Sequence, residues 1–226
     1  MNALRRRTLL AAGSLLWSGG ALSRLAEAKD GQKRPKMLPP LPLSMAVAVD
    51  DEGAPVVDAC FVATQVREAQ RLLKPHGVLV RWTERRTLPK GHARLEDAED
   101  RDDLAVYHRE KVINVMIVDR LRDKDDPKRF RMGVRWRLRR DLRKDYVILA
   151  ASAVPTVLTH ELGHFFGHGH SPVVDIVMSY ERENPDRVAF DARQGAKMRA
   201  TVRRYLKTGK VVATEADDRA ATTCTG

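Results

Sequence analysis

The sequence predicts an α+β domain, because it contains segments with strand periodicity and segments with helix periodicity, and four predicted strands follow one another between the first helix and the second. Two observations carry this prediction. Apolar residues recur at helical spacing over 57–74, and five short segments have the apolar pattern of strands. The predicted strands are Ser44–Val49, Val78–Trp82, Val112–Val118, Arg131–Arg139 and Tyr146–Ala150.

Three helices are predicted from the same periodicity and from the residues at their ends. The first is closed by a Lys-Pro-His-Gly turn, which does not continue a helix. The second begins near Ala153, with Ser152 as its N-cap and Pro155 in its first turn, where proline is tolerated. The predicted helices are Val57–Lys74, the segment from about Ala153, and Asp191–Leu206.

The segment Arg131–Arg139 alternates apolar and basic side chains, which is the pattern of a half-buried strand. The alternating positions are Val134, Trp136 and Leu138 against Arg135, Arg137 and Arg139. We expect the arginine row to be a solvated face; a row that faced a substrate cleft would instead favour acidic substrates. The earlier segment Arg85–Arg109 is highly charged and is predicted to be a loop that can hold a helical turn.

One short segment contains four of the seven histidines, in the pattern His-Glu-x-x-His-x-x-Gly-x-x-His. Residues four apart lie on one face of a helix, so His160 and His164 can direct two imidazoles at one ion. Gly167 can adopt the left-handed conformation that ends a helix, and the chain can then turn back to bring in His170. Glu161 lies where its carboxylate can reach a water at the ion without being a ligand.

Three protein nitrogens with one open position are the arrangement of a catalytic zinc site, so the segment predicts one bound Zn²⁺. Two other interpretations compete. The segment can be a histidine-rich surface helix without metal, or the helix can continue so that His168 replaces His170 as ligand. Gly167 and Gly169 argue against the longer helix, since each is unfavourable by about 1 kcal/mol relative to alanine. We expect His168 to be a partly exposed neighbour that can support the ligands.

These residues resemble the zinc-binding signature of the metzincins, a superfamily of zinc endopeptidases. Metzincins also have a methionine-containing turn beneath the metal, and Asp175–Tyr180 resembles that turn. Ser171 after the third histidine and the position of Met178 are similar to the matrixins, whereas the Met-Ser-Tyr order is closer to the serralysins and astacins. The motif core covers Leu158–Tyr180, and a weaker resemblance runs from about Ser44 to Leu206.

The resemblance implies a metzincin-like catalytic domain with a twisted five-stranded mixed sheet, three main helices and a small lower subdomain that holds the methionine turn. It further implies that the fourth strand, around Gly133–Arg139, is the edge of the cleft. A protein or peptide substrate would pair with this edge as an extended strand.

The same resemblance implies roles for single residues. Zinc bound by the three histidines activates a water, and Glu161 is the general base of peptide-bond hydrolysis. Met178 is an apolar floor beneath the histidines. Tyr180 either approaches the zinc and stabilises the oxyanion, or is a core aromatic beside the turn. The charged segment Glu181–Arg187 either shapes a polar, shallow pocket or is a solvated loop. Together these features predict a zinc metalloendopeptidase.

Residues 1–28 have the features of an export signal peptide. A basic Arg5–Arg7 precedes the apolar Thr8–Leu22, and Ala26–Ala28 is a small-residue cleavage pattern. The Arg-Arg-Thr-Leu-Leu order resembles a bacterial twin-arginine signal; an ordinary secretory signal and an uncleaved anchor are the alternatives. We expect an exported protein, periplasmic or secreted, with no stable membrane span after removal of the signal.

The remaining chain divides into a Pro-rich basic linker at 29–43, a zinc peptidase domain at 44–210 and a polar, mobile C-terminal tail at 211–226. The formal net charge of +11 favours anionic partners, but we attribute it to solubility or habitat. No basic patch interleaved with aromatic residues is present, so no specific nucleic acid is expected. We expect a monomer.

The two cysteines, Cys60 and Cys224, allow two interpretations. Export permits a disulfide, which would tie the C-terminal tail to the domain. Alternatively, Cys60 is buried and free while Cys224 is loose. Neither has the spacing of a metal ligand, and nothing in Lys29–Asp58 resembles the cysteine-bearing propeptide that blocks the zinc of matrixins.

Two other functional classes stay open. One is an exported zinc-binding protein with vestigial protease activity, against which the intact Glu161 argues. The other is a zinc amidase acting on cell-wall peptides, which export and positive charge permit. The natural substrate and any calcium requirement are not readable from these residues.

Overall fold

The computed structural model describes residues 35–222 and Cys224, so the predicted signal peptide and the first part of the predicted linker lie outside the described residues. The strands of the described part are β1 Leu41–Ala48, β2 Val80–Leu88, β3 Arg94–Leu95, β4 Ile113–Val118, β5 Arg120–Leu121, β6 Gly133–Arg137 and β7 Asp145–Ala150. Its α-helices are α1 Ala59–Leu73, α2 Ala98–Asp103, α3 Val157–Phe165, α4 Ala192–Thr208 and α5 Arg219–Thr222. Short 3-10 turns occupy Lys74–His76, Leu104–Tyr107 and Pro185–Arg187.

A five-stranded sheet with the order β2-β1-β4-β7-β6 forms the centre of the fold. The first four of these strands are parallel, and β6 runs antiparallel to β7 at one edge. Strands β4 and β7 are buried at every position, because structure covers both faces of the sheet. The predicted α+β class with a five-stranded mixed sheet is confirmed.

The sheet separates two apolar cores. Along β4, Val115 and Ile117 point into the core that α1, α3 and α4 cover, while Met116 and Val118 point into the opposite core. The segment that contains β3, α2 and β5 covers this second core. Helix α3 packs against the β6–β7 edge, and this packing places the histidine segment beside the edge strand.

Side chains and backbone at the helix ends match the boundaries of two predicted helices. The Asp58 side chain accepts the N–H of Phe61 at the start of α1, and Gly77 in the left-handed region follows its end. At α4, Asp191 and Gln194 form a reciprocal capping box, and Gly209 with φ 69° closes the helix.

The start of α3 differs from its prediction. The helix begins at Val157, so Pro155 precedes it and Ser152 is not its N-cap. A buried glutamine of α1 satisfies the backbone there instead. Gln65 accepts the N–H of Leu158 and donates to two carbonyl oxygens just before the helix, at 2.9 and 3.0 Å. A partner more than 80 residues away in sequence is invisible to local capping rules.

The charged region around Arg85–Arg109 is more regular than predicted. Strand β2 continues to Leu88, because its polar side chains have partners on β1: buried Ser44 donates to Glu84 at 2.8 Å and accepts from Arg86 at 2.9 Å. Strand β3 and helix α2 follow. The prediction of a loop is therefore wrong where β2 and β3 lie, whereas the helical turn that it allowed is present as α2.

Both flanks of the domain are packed. Strand β1 begins at Leu41, inside the predicted linker. The predicted mobile tail instead contains fully buried Val211, and the N–H of Thr214 donates to the carbonyl of Pro40 at 3.0 Å. A disulfide joins Cys60 at the start of α1 to Cys224, so the bridged interpretation of the cysteines is correct.

Candidate metal centre

Helix α3 presents His160 and His164 on one face, with their ring centroids 4.8 Å apart. The helix ends at Phe165, and Gly167 has φ +93°, a conformation that glycine adopts without steric penalty. The chain then turns and brings in His170, so that one nitrogen of each ring lies within 4.8 Å of the others. The structure therefore brings together the three histidines of the predicted site.

Backbone carbonyl oxygens orient two of the three rings. Nδ1 of His160 lies 2.8 Å from the carbonyl oxygen of Val177, and Nδ1 of His164 lies 2.9 Å from that of His168. Because a carbonyl oxygen only accepts, each Nδ1 carries the proton and donates it. Each Nε2 lone pair is then free for a metal ion.

The cluster has the chemistry of a zinc site. Burial lowers the pKa of His160 to about 4 and also lowers the pKa of His164, so both rings are neutral near pH 7, as metal ligands must be. Zinc binds imidazole nitrogen at about 2.0–2.1 Å, which places neighbouring ligand atoms about 3.4 Å apart. The Nε2 atoms of His164 and His170 are 3.1 Å apart. The donor set therefore fits zinc.

Glu161 lies beside the cluster and is only 5% exposed. Burial raises the pKa of its carboxyl to about 7, although a hydrogen bond from the backbone N–H of Arg135 and the charge of Arg131 oppose the rise. A carboxylate whose pKa lies near neutrality is suited to accept and return a proton.

A glycine of the edge strand makes room for this carboxylate. A Cβ at Gly133 would lie 2.6 Å from Cγ1 of Val157 and 3.1 Å from Cγ of Glu161. Any larger residue would push the first strand residue away from α3. Close approach of β6 to α3 therefore depends on glycine at this position.

Tyr180 is 67% exposed, so the alternative of a core aromatic is wrong. Its hydroxyl lies 2.7 Å from Nε2 of His170, at the open side of the cluster. The hydroxyl also contacts Arg131, a guanidinium that buried Asp123 anchors at 2.8 and 2.7 Å. Tyr180 and a fixed positive charge thus stand together beside the three imidazoles.

Met178 is completely buried beneath α3. A Cβ at Gly163 would overlap the Met178 sulfur, so the thioether occupies the space that this glycine leaves on the helix. The carbonyl of Met178 accepts the N–H of Ser171 at 2.9 Å, which ties the turn to the residue after the third histidine. The turn therefore supports the cluster through packing and through its backbone.

His168 is buried, with 8% exposure, which contradicts the partly exposed position predicted for it. Its ring lies 6.0 Å from the ring of Phe190. The segment turns at Gly167, and the ring of His168 is not part of the three-histidine cluster. Its backbone carbonyl, through the hydrogen bond to His164, supports the site instead.

The arginine row of β6 is not a uniform solvated face. Arg135 is half-buried and forms a bidentate pair with Asp145, with both distances 2.8 Å. It also donates to the carbonyl of His164 at 2.8 Å. Arg137 and Arg139 are exposed, as expected for the whole row. One of the three arginines therefore belongs to the interior of the site.

The charged segment Glu181–Arg187 is hydrogen-bonded to the preceding turn, Asp175–Tyr180. Asp175, with φ 60°, accepts the N–H groups of two residues of this segment at 2.9 and 3.0 Å. Arg182 donates to the carbonyl of Val177 at 3.0 Å, the same oxygen that orients His160. The acidic side chains of the segment are exposed.

Several of these supporting residues were missed from the sequence. Gly163 carried a signal, because a glycine inside a helix is unfavourable by about 1 kcal/mol and marks a close approach. Gly133 carried a weaker one as the first residue of a strand pattern. The alternating pattern places Arg135 only in a row of arginines, and its pairing with Asp145 has no local signature in the sequence.

Comparison with known proteins finds a shared fold but no sequence relative. No protein-family profile and no curated protein matches the sequence. Metalloproteinase-II from Bacteroides fragilis is 18% identical over 74% of this chain, with a TM-score of 0.50, and this chain spans 54% of its length. Mature mirolysin from Tannerella forsythia, solved with a cleaved peptide, is 10% identical over 78% of this chain and 99% of its own, with a TM-score of 0.54.

An archaemetzincin from Methanopyrus kandleri is 18% identical over 72% of this chain and 96% of its own, with a TM-score of 0.48. At identities this low, likeness to solved structures establishes the fold alone. The chain has a fold found in metallopeptidases. The chemistry of its site must be inferred from its own residues.

Proposed function

We propose that this protein is a zinc-dependent endopeptidase of the metzincin type, with Asp175–Tyr180 as its methionine turn. The convergence of three imidazoles beside a buried carboxylate carries the proposal. The fold shared with metalloproteinase-II supports it. A surface cluster of histidines without metal would not need a buried first ring, two rings oriented by carbonyl oxygens or an adjacent buried acid.

In this proposal His160, His164 and His170 hold the zinc ion. When bound, zinc polarises the scissile carbonyl and lowers the pKa of a coordinated water. Glu161 accepts a proton from the attacking water and returns it to the leaving amine. Burial favours this shuttle, because a carboxyl with a pKa near 7 gains and loses a proton at low cost.

Tyr180 is proposed to donate a hydrogen bond to the oxyanion that forms during attack. Its exposed ring and its hydroxyl next to His170 are compatible with movement of this side chain toward a substrate. Arg131 lies beside the hydroxyl, and its positive charge favours negative charge that develops there.

The substrate is proposed to bind along β6 as an added strand. In the described part of the chain, β6 pairs only with β7, so its outer edge offers backbone groups to an extended peptide, apart from the Arg135 N–H that donates to Glu161. Mirolysin, of similar fold, was solved with a cleaved peptide. Gly133 at the beginning of β6 would bring such a peptide close to Glu161.

Export is proposed for the location. The disulfide between Cys60 and Cys224 is expected in an oxidising compartment. Among the described residues, no helix is long and apolar enough to cross a membrane. The twin-arginine-like signal at 1–28 remains a prediction, and fractionation of a tagged full-length chain would test it.

The central experiment is metal analysis of the purified protein together with cleavage of an unstructured protein such as casein. We expect about one zinc per chain, and cleavage that a chelator abolishes and added zinc restores. Glu161→Gln should keep the zinc and lose at least about 100-fold in kcat. His164→Ala should lose both zinc and activity.

Other outcomes would contradict the proposal. Full activity of Glu161→Gln would remove the general base from the mechanism. Zinc bound without any cleavage of protein would favour a vestigial binding protein. Digestion of peptidoglycan in place of casein would identify an amidase.

A further inference from the structure

A buried ionic cluster lies between the edge of the sheet and the end of α3. The Asp145 carboxylate is completely buried, and it binds Arg135 through both oxygens at 2.8 Å and Lys210 at 2.7 Å. Burial opposes ionisation of Asp145, but these two cations outweigh it and keep its pKa below the ordinary value. One anion thus holds two cations from elements that are far apart in the sequence.

The cluster reaches the metal centre through the backbone of a metal ligand. The remaining nitrogen of Arg135, Nη1, donates to the carbonyl oxygen of His164 at 2.8 Å. This carbonyl lies in the last turn of α3, where it also accepts the N–H of Gly167 at 2.9 Å and belongs to the negative end of the helix dipole. A guanidinium is therefore suited to this position by both hydrogen bonding and charge.

The neighbouring residue of α3 is held by the same cluster. Lys210 Nζ lies 4.8 Å from the ring centre of Phe165, and the Arg135 guanidinium lies 5.8 Å from it. The hydroxyl of Tyr205, on α4, donates to the Phe165 carbonyl at 2.9 Å. The end of α3 is thus attached to the sheet edge and to α4 at the point where the chain turns toward the third histidine.

We propose that Arg135 is a positioning residue for the metal centre: anchored by Asp145 and Lys210, it holds the C-terminal end of α3 so that His164 stays aligned with His160 and His170. The inference rests on the proposed zinc site. It assigns a function to an arginine side chain that is not one of the three proposed metal ligands. The bidentate grip matters, because it fixes the plane of the guanidinium and so the direction of its third donor.

If Arg135 is replaced, other cations still neutralise the buried Asp145 carboxylate. Asp145 keeps Lys210 at 2.7 Å and Arg137 at 4.0 Å, so its buried charge is not left alone. We therefore expect Arg135→Gln to fold, with its effect concentrated at the end of α3. Arg135→Lys retains the charge but lacks the fork that reaches Asp145 and His164 together.

The test is the zinc affinity of the full-length protein, measured by competition with a chromophoric chelator. Arg135→Gln should bind zinc at least about tenfold more weakly, a typical loss when a group that supports a ligand is removed. Arg135→Lys should lie between it and the unmodified protein. Arg139→Gln is the matched control, since Arg139 is an exposed arginine of the same row, and its affinity should be unchanged.

A second readout distinguishes positioning from a general loss of stability. In the cobalt-substituted proteins, the visible absorption bands report ligand geometry, and we expect Arg135→Gln to shift them while thermal unfolding of the metal-free protein shows a folded state. Unchanged zinc affinity and unchanged cobalt bands in folded Arg135→Gln would overturn the inference and leave the proposed function intact. Failure of the unmodified protein to bind zinc would overturn both.

Discussion

The carboxyl of Glu161 is held where its charge is disfavoured. Burial raises its pKa from an ordinary value of 4.5 to about 7, and each unit of pKa corresponds to about 1.4 kcal/mol. Between these pH values the folded state binds more protons than the unfolded state, so the free energy of unfolding falls as the pH rises. Above neutral pH the metal-free protein is therefore destabilised by the ionisation of this buried carboxyl.

This predicts a pH-dependent gain in stability for Glu161→Gln. At pH 8 the metal-free variant should be more stable than the unmodified protein by up to about 3 kcal/mol, because glutamine does not ionise. At pH 4.5 the difference should shrink to about 0.5 kcal/mol. Urea unfolding of both proteins in the presence of a chelator measures it. An equal difference at both pH values would show that ionisation of Glu161 is not its cause.

For Tyr180 we predict a small effect on stability and a large effect on activity. Its side chain is 67% exposed, so Tyr180→Phe should change the free energy of unfolding by no more than about 0.5 kcal/mol. Loss of a donor to the oxyanion should lower kcat by about 100-fold, with zinc retained. Steady-state kinetics on a fluorogenic peptide and zinc analysis of the same sample check both parts. Full activity of the variant would leave Tyr180 without a catalytic role.

Helix α3 packs against the turn that contains Met178, and this packing requires a residue without a side chain at position 163. Gly163 faces the sulfur of Met178, and a methyl group there would overlap it. In an exposed helix the same change would stabilise by about 1 kcal/mol, so packing and helix propensity predict opposite signs. Rigid packing should win, because Met178 is completely buried.

We therefore predict that Gly163→Ala lowers the free energy of unfolding by about 1–3 kcal/mol, the usual range for overpacking. Gly169→Ala is the matched control, since a Cβ there meets open space, and it should be close to neutral. In a Met178→Ala background, Gly163→Ala should cost less than in the unmodified protein, because the shorter side chain makes room for the methyl group. Urea unfolding of the unmodified protein, the three single variants and the double variant measures this, and equal effects of the two glycine changes would contradict the packing.

Helices and strands are predicted correctly from the sequence where a local pattern of apolar residues determines them. The helical spacing of α1 and α4 and the apolar run of β4 gave the correct elements, because burial of one face repeats along the chain. The start of α3 was placed too early, since its backbone is satisfied by Gln65 from another helix. Strand β2 was ended too early, because Ser44 on the neighbouring strand pairs its charged side chains.

In the candidate metal centre, too, local features are predictable from the sequence and long-range contacts are not. Its ligands lie within eleven residues on a helix and a glycine turn, so their convergence is a local property that spacing can reveal. The groups that support them come from distant segments: Asp145 meets Lys210 across 65 residues, and Val177 meets His160 across 17. Pairings of this kind depend on the order of strands in the sheet, which one sequence does not disclose.

The C-terminal segment, from Val211 onward, packs against the sheet and α1. Val211 forms a bridge with Lys111, and the Asp218 carboxylate contacts both Gln70 on α1 and the N–H of Trp82 on β2. The disulfide then fixes the end of this segment to α1, across 164 residues of sequence. A cross-link of that length restricts the unfolded chain strongly, since the entropy of loop closure grows with the length of the loop.

We predict that replacing both Cys60 and Cys224 by serine lowers the free energy of unfolding by about 2–5 kcal/mol. The zinc affinity should stay the same, because neither cysteine contributes to the three-histidine cluster. Guanidinium unfolding with and without dithiothreitol measures the loss. The reductant should bring the unmodified protein to the level of the double variant and leave the variant unaffected. A reductant-insensitive unmodified protein would mean that the C-terminal segment is held by its packing alone, without a contribution from the cross-link.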